Sequence, residues 1–392
     1  MRTKTDYYDY NLIAVIILLI GFGLVMLYST TSYTAAMKFG DDMVFFKKQA
    51  FFSACAVVAA VIGSWIPYRL YWYFSWGFYV LSLFMMALVK TPLGRTVNGA
   101  RRWLMVGGLS FQPAELAKIA VITFIPMLIV RTGKKFRRPG YTMLILGAGA
   151  LQAAAAYILT DNLSTAIIIM LITCVIVFVA HPNTRSFILG LLLAAAAAAG
   201  AVLYIMNNEV TSSFRARRIL TWLHPEQYSA EGGYQVMQAL YALGSGGLFG
   251  KGLGNGTQKL WAVPEAENDM IFAIICEELG IFGGIIVILL FIYLLYRLFF
   301  IAQNAPDLYG ALMVTGIFGH IAMQVILNIC VVINLIPTTG ITLPFLSYGG
   351  TSVVLLMAEI MIALSVSKAI RFRRPEQDLW GEMVRSSGRR EK

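Results

Sequence analysis

The chain reads as an all-α, polytopic transmembrane helical bundle of about ten spans, and three observations lead there. Of its 392 residues, 58% are hydrophobic and only 13% charged, whereas soluble domains carry about a quarter charged residues. The apolar residues fall in blocks close to the ~20 residues that cross a ~30 Å hydrocarbon core as helix. Strand-like alternation is absent, so helices, which satisfy their own backbone polar groups, are the expected spanning elements.

The first block, residues 11–28, follows a basic N-terminus but is long and lacks a convincing cleavage site, so it is expected to remain as the first span. Further blocks run over about 50–66, 72–89, 116–130, 141–160, 164–180, 186–206, 270–295, 308–333 and 352–370. An even number of spans puts both termini on one side. The loop carrying Arg131, Lys134, Lys135, Arg137 and Arg138 falls on that side with Arg371, Arg373 and Arg374, and the positive-inside rule makes it cytoplasmic. Residues 1–370 are then one membrane domain and 371–392 a basic cytoplasmic tail. The net charge of +11 sits largely in such short loops, as a topology signal requires, and nucleic acid is set aside as a partner. Cys55, Cys174, Cys276 and Cys330 all lie in apolar blocks, without metal-ligand spacing or a loop position suited to disulfides.

Three connections fall on the opposite side. Residues 90–115 carry Lys90, Arg95, Arg101 and Arg102, and residues 207–269 carry Arg215, Arg217 and Arg218, although short external loops should be poor in cations. A phosphorylated ligand would explain the breach; lipid headgroup contact or a different span count would also do so. The second connection is too long for an idle linker, combining a Gly-rich stretch, 243–256, with aromatic anchors Trp222, Tyr234 and Trp261. The third, 334–351, is apolar but broken by Pro337, Gly340, Pro344, Gly349 and Gly350. It is expected to be a re-entrant segment packed on protein, because freed backbone groups at membrane depth must find partners.

Two clusters of ionisable residues point to chemistry. Glu265, Glu267 and Asp269 stand at the mouth of the eighth span, with Glu277 and Glu278 about two turns inside it. Ionisable groups within a span are functional by default, although Asp269 also suits a helix start and the glutamates also suit buried cations. In the other cluster, Pro113 opens a helix on which Glu115 and Lys118 share one face. Gln324, Asn328, His320 and Glu359 suit helix–helix glue. No metal site, Gly-rich phosphate loop or Ser-His-Asp arrangement is recognisable.

Gly-Ala-Arg-Arg-Trp at 99–103, Phe-Gln-Pro-Ala-Glu-Leu-Ala-Lys at 111–118, Pro-Glu-Ala-Glu-Asn-Asp-Met-Ile-Phe at 264–272, Glu-Glu-Leu-Gly at 277–280 and the run from Pro337 to Ser352 together resemble the SEDS family (FtsW, RodA, SpoVE). The first of these, with Gly21–Ser29, is closer to the FtsW/SpoVE branch than to RodA. The resemblance implies a ten-span peptidoglycan glycosyltransferase of the bacterial cytoplasmic membrane that polymerises lipid II on its outer face. It further implies the nascent glycan strand, a class B penicillin-binding protein (a transpeptidase) and membrane lipids as partners. Asp269 matches the family's essential aspartate and is the expected catalytic base. Arg101, Arg102, Arg215, Arg217 and Arg218 are candidates to bind the pyrophosphate, with Gln112, Glu115, Lys118, Glu265 and Ser347 as further substrate-binding positions. No cofactor is required by the sequence, though a divalent cation, Mg2+ or Mn2+, is compatible with Asp269 and substrate phosphates. Two departures stand out: the family's Pro-Asp-Leu-Gly-Thr reads Asp161-Asn-Leu-Ser-Thr165, and its His-Thr-Asp reads Glu267-Asn268-Asp269. A lipid II flippase or a structural scaffold of the division machinery are the competing readings of the same charged residues; a missing repeat signature counts mildly against transport.

Overall fold

A computed structural model describes residues 5–97, 100–106, 109–208, 214–229, 232–260 and 263–372. The first six spanning helices are α1 (Tyr10–Phe39), α2 (Val44–Gly63), α3 (Leu70–Leu88), α4 (Pro113–Thr132), α5 (Pro139–Thr160) and α6 (Leu163–Ala180). Next comes α7 (Arg185–Asn208), whose 24 residues have the length of a further span, followed by the shorter α8 (Phe214–Leu223) and α9 (Gly233–Gly246). The chain then crosses through α10 (Ile271–Asn304), α11 (Leu308–Val332) and α12 (Gly350–Lys368). Leaving α7 aside, nine helices among the described residues are long and apolar enough to cross a bilayer. The fold is the all-α bundle expected, and the chain is a multi-pass membrane protein.

Helix ends follow local chemistry. Asp9 caps α1 by accepting from the Leu12 amide at 2.9 Å, and Gly40 ends it in the left-handed region that favours glycine. Pro113 sits at the start of α4, where a missing N–H costs nothing. Asn162 caps α6 through the Thr165 amide (3.1 Å), and Asp307 caps α11 through the Gly310 amide (2.9 Å). The first span runs eleven residues past the expected Tyr28, because the hydroxyls of Thr30 and Thr31 bond back to carbonyls one turn earlier and Ser29 finds a buried acid.

α4, α11 and α12 are the most enclosed spans, whereas α2 and α3 face largely outward. Lipid is as apolar as the interior, so close approach and polar contacts select the neighbours. Gly149 of α5 lies against Thr173 of α6, and Gly316 and Gly319 of α11 against Ile176 and Val175. His320 Nδ1 meets the Glu359 carboxylate at 2.8 Å, joining α11 to α12. Such interhelical bonds average only about 0.6 kcal/mol, so the bundle depends on many of them and on packing.

The two ends of the bundle differ. At one end β1 (Thr5–Asp6) pairs with β5 (Arg371–Phe372), bringing the terminal segments together. Beneath this pair the Arg297 guanidinium bonds the buried Asp9 carboxylate at 2.7 Å. The other end carries three structures in the connections between spans. An antiparallel sheet is built from β2 (Gly94–Val97), β3 (Ala100–Val106) and β4 (Leu109–Phe111). Its strands are too short for their alternation to stand out in the sequence. The long 207–269 connection holds α8 and α9. Residues 334–349 contain no helix or strand and pack inward through the buried Leu343, Phe345 and Leu346.

Candidate active site

Asp269 lies two residues before α10, at the end of the bundle opposite the paired terminal segments. The 28 residues from there to Arg297 span roughly 40 Å of helix, about a bilayer with its headgroups. The residue is only 8% exposed, and its Oδ1 has no hydrogen-bond partner. Burial, reinforced by Glu265, pushes its carboxyl up to about 7; nearby Arg218 pulls the other way and Glu267 raises it further. Desolvation is the dominant cause.

The backbone around Asp269 is held from two sides. Asn328 of α11, fully buried, donates through Nδ2 to the carbonyls of Asp269 (2.7 Å) and Ile341 (2.8 Å). Ser347 donates through Oγ to the Asn268 carbonyl (2.6 Å) and accepts from the Leu343 amide (2.8 Å). The Tyr348 amide donates to the Glu267 carbonyl at 2.8 Å. The re-entrant segment is thus stitched to the loop that carries the acid. Ser347 lies here with its hydroxyl engaged by backbone.

The cations divide into two groups. Arg218 donates through Nη1 to the Thr338 carbonyl at 3.2 Å, and Trp222 through Nε1 to the Asn334 carbonyl at 2.9 Å, so α8 lies along the re-entrant segment beside Asp269. Arg217 is its neighbour on the same helix; the side chain of Arg215 lies outside the described residues, as do Trp261 and almost all of the 371–392 tail. Arg101 turns back into its own hairpin, donating to the carbonyls of Gly94 (3.2 Å), Lys90 (3.4 Å) and Thr91 (2.5 Å). Arg102 differs. Its Nε is buried without a hydrogen-bond partner, and burial lowers its pKa while nearby Asp161 opposes that. Asp161 also pairs with Lys90 at 3.4 Å, and the next residue, Asn162, caps α6. Where the family motif departs, therefore, Asn162 serves as a helix cap and the acid one position earlier, Asp161, meets cations. Ser164 donates to the Thr339 carbonyl at 2.5 Å, joining this corner to the re-entrant segment.

Gln112 precedes α4, and one turn in, Glu115 and the buried Lys118 form an ion pair of 2.8 Å. Glu265 is exposed and accepts from the Asn268 side chain. Glu277 and Glu278 face away from this mouth, into the Gly-rich segment. Glu277 accepts from Lys251 (2.7 Å) and the Thr257 amide (2.9 Å), and Glu278 from Lys259 (2.6 Å), Ser29 (2.7 Å) and the Gly254 amide (3.0 Å). Glu278 thus pairs with the buried Lys259, and Glu277 with the exposed Lys251 and with backbone amides. Lys259, itself buried, had no distinguishing signal in the sequence, and neither did the grip of Asn328 on Asp269. Among the described residues no group of three or more His, Cys, Asp or Glu is placed to hold a metal ion.

Comparison with known proteins agrees with this architecture. The family model described as "Cell cycle protein" (FtsW, RodA, SpoVE) matches residues 9–371. The chain is 38% identical over 377 residues to stage V sporulation protein E of Bacillus subtilis (strain 168), covering 95% of this chain and all of that one. It is 35% identical over 373 residues to a probable peptidoglycan glycosyltransferase FtsW of Trichlorobacter lovleyi, covering 93% and 94% of the two. Among solved structures, it is similar to a chain of a peptidoglycan synthase complex described as coordinating polymerization and crosslinking, with a TM-score of 0.75 at 25% identity over 92% of this chain and 98% of that chain. The rod shape determining protein RodA of Thermus thermophilus matches with a TM-score of 0.65 at 26% identity over 94% and 98%. The chain belongs to the FtsW/RodA/SpoVE family of cell cycle proteins.

Proposed function

We propose that the chain is a peptidoglycan glycosyltransferase that polymerises lipid II into glycan strands, with Asp269 as general base. The observation that carries this reading is a buried carboxylate, unpartnered at Oδ1, whose pKa is pushed up to about 7 beside Arg218. A base is most effective when its pKa lies near the working pH. In the reaction, a sugar hydroxyl of one lipid II attacks the anomeric carbon of a second lipid-linked glycan. The new C–O bond forms as the bond to the lipid pyrophosphate breaks, with inversion, and the hydroxyl proton passes to Asp269.

Negative charge builds on the departing pyrophosphate, which calls for guanidinium donors at a partly dry surface. Arg102 and Arg218 suit this best, the first because its buried Nε has no protein partner, the second because it stands close enough to bias the Asp269 titration. Arg217 and Arg215 on the same helix are secondary candidates, and Arg101 holds the hairpin that presents Arg102. A divalent cation would take Asp269 and substrate phosphates as ligands and would neutralise the same charge. The likeness to a polymerization and crosslinking complex supports a transpeptidase partner, and the basic loop 131–138 supports an outer-face site with both termini cytoplasmic.

Purified chain given labelled lipid II tests the proposal. Asp269→Asn should fold and bind substrate yet lose polymerisation by at least ~100-fold, the lower range for general-base catalysis. Near-normal glycan synthesis by that variant would remove Asp269 as the base. Translocation of lipid II without chain formation by the unaltered protein would favour a transporter instead.

A further inference from the structure

At the end of the bundle opposite Asp269, a cavity of about 350 Å³ opens between the end of α4, the turn 133–137, the end of α6 and the start of α11. Its lining is of two kinds. Val130, Val179, Ala180 and Leu308 form an apolar floor, and Lys134 and Arg137 stand at the rim with both side chains exposed. Residues 131–138 contain five cations and no acid. Among the described residues, no ion pair or hydrogen bond engages the side chains of Lys134 or Arg137. The acid nearest the rim along α11, Asp307, is already bonded to Tyr68 (2.6 Å), Arg69 (3.3 Å) and the Gly310 amide. His181 at the end of α6 is likewise occupied, its Nδ1 meeting Asn183 at 3.1 Å.

We infer that this cavity is a binding site for an anionic diacyl phospholipid. Its phosphate would sit between Lys134 and Arg137, and the upper part of one acyl chain would lie on the Val130–Val179–Leu308 floor. Charge alone at this position would only mark the side of the membrane on which the loop resides. The distinguishing feature is that two unpaired cations border an apolar hollow, the combination that basic pockets between transmembrane helices offer to anionic headgroups. Phe136 supports the geometry: it is buried, so the short 3-10 turn is anchored, and Lys134 and Arg137, three residues apart on it, share one side. The site is separate from the polymerisation mouth and does not depend on that assignment.

The full chain, purified and exchanged into mixed micelles of phosphatidylglycerol and phosphatidylcholine, tests the inference by native mass spectrometry of retained lipid. The unaltered protein should retain phosphatidylglycerol preferentially. Lys134→Gln with Arg137→Gln should weaken retention roughly 25-fold, about fivefold for each cation at an anionic surface. Arg131→Gln with Arg138→Gln removes the same charge from outside the cavity and should have a much smaller effect. Ala180→Phe, which fills the floor while keeping every charge, should also weaken retention. Equal losses in the two double variants, no preference over phosphatidylcholine, or displacement by soluble glycerol phosphate as effective as by the diacyl lipid would each overturn the site.

Discussion

Asp269 shows how one side chain acquires a property that its type does not carry. Its carboxyl is raised from 3.8 to about 7 chiefly by burial. The folded state therefore holds its proton up to higher pH than the unfolded state does, so this group makes stability fall as pH rises from about 4 to about 7. Asp269→Asn is expected to raise thermal stability at pH 8, by an amount on the order of 4 kcal/mol at most, with the gain vanishing below about pH 4. Activity should show the opposite dependence, with kcat/KM climbing through about pH 7 to a plateau as the base ionises; a flat profile between about pH 6 and 8 would count against the role. Two adjacent arginines separate in the same way. Arg102→Gln should raise KM for lipid II, more at low salt than at high, while Arg101→Gln should lower stability by freeing three hairpin carbonyls. The identity of the acid and of the arginines was legible in their motifs. Their difference in partners was not, because it depends on which face of β3 each side chain takes, and successive residues on a strand take opposite faces.

Among the elements, the Gly-rich segment and the start of α10 interlock. Gly250 has φ +78, and a Cβ there would lie 2.1 Å from the Glu278 carbonyl oxygen; Gly280, at φ +69, breaks the helix against Leu248. Both contacts exclude a side chain, which explains glycine at those positions better than flexibility does. Glu278→Ala would strand Lys259 as a buried, unpaired cation and should cost about 3–5 kcal/mol, measurable as a large drop in melting temperature. Lys259→Met in the same background should recover part of the loss, since an apolar replacement removes the stranded charge. Asn328→Leu would release the carbonyls of Asp269 and Ile341, and kcat should fall more than KM changes. Most spans could be read from hydropathy to within a few residues. The sheet over 94–111 and helices α8 and α9 could not, since each is short and takes its form from the surfaces it packs on.

For the whole molecule, the paired terminal segments and the basic turn 133–137 occupy one end, and Asp269, the sheet, α8 and the re-entrant segment the other. With the bundle oriented by the positive-inside rule, Glu265→Cys in an otherwise cysteine-free chain should react with an impermeant thiol reagent applied outside intact cells, and Lys134→Cys should not. The reverse labelling pattern would invert the topology and place the acid in the cytosol. Length, apolar blocks and loop charge were enough to establish a multi-pass helical membrane protein, because crossing hydrocarbon leaves a chain few options. The motifs were enough to identify the family and to nominate Asp269 as its candidate base. Only the packed bundle decided that this acid is dry, that Arg218 and the re-entrant segment flank it, and that Glu277 and Glu278 serve the Gly-rich segment instead. These are contacts between residues far apart in the chain, and the desolvation and hydrogen bonding they produce are properties of the assembled surfaces, which no local pattern encodes.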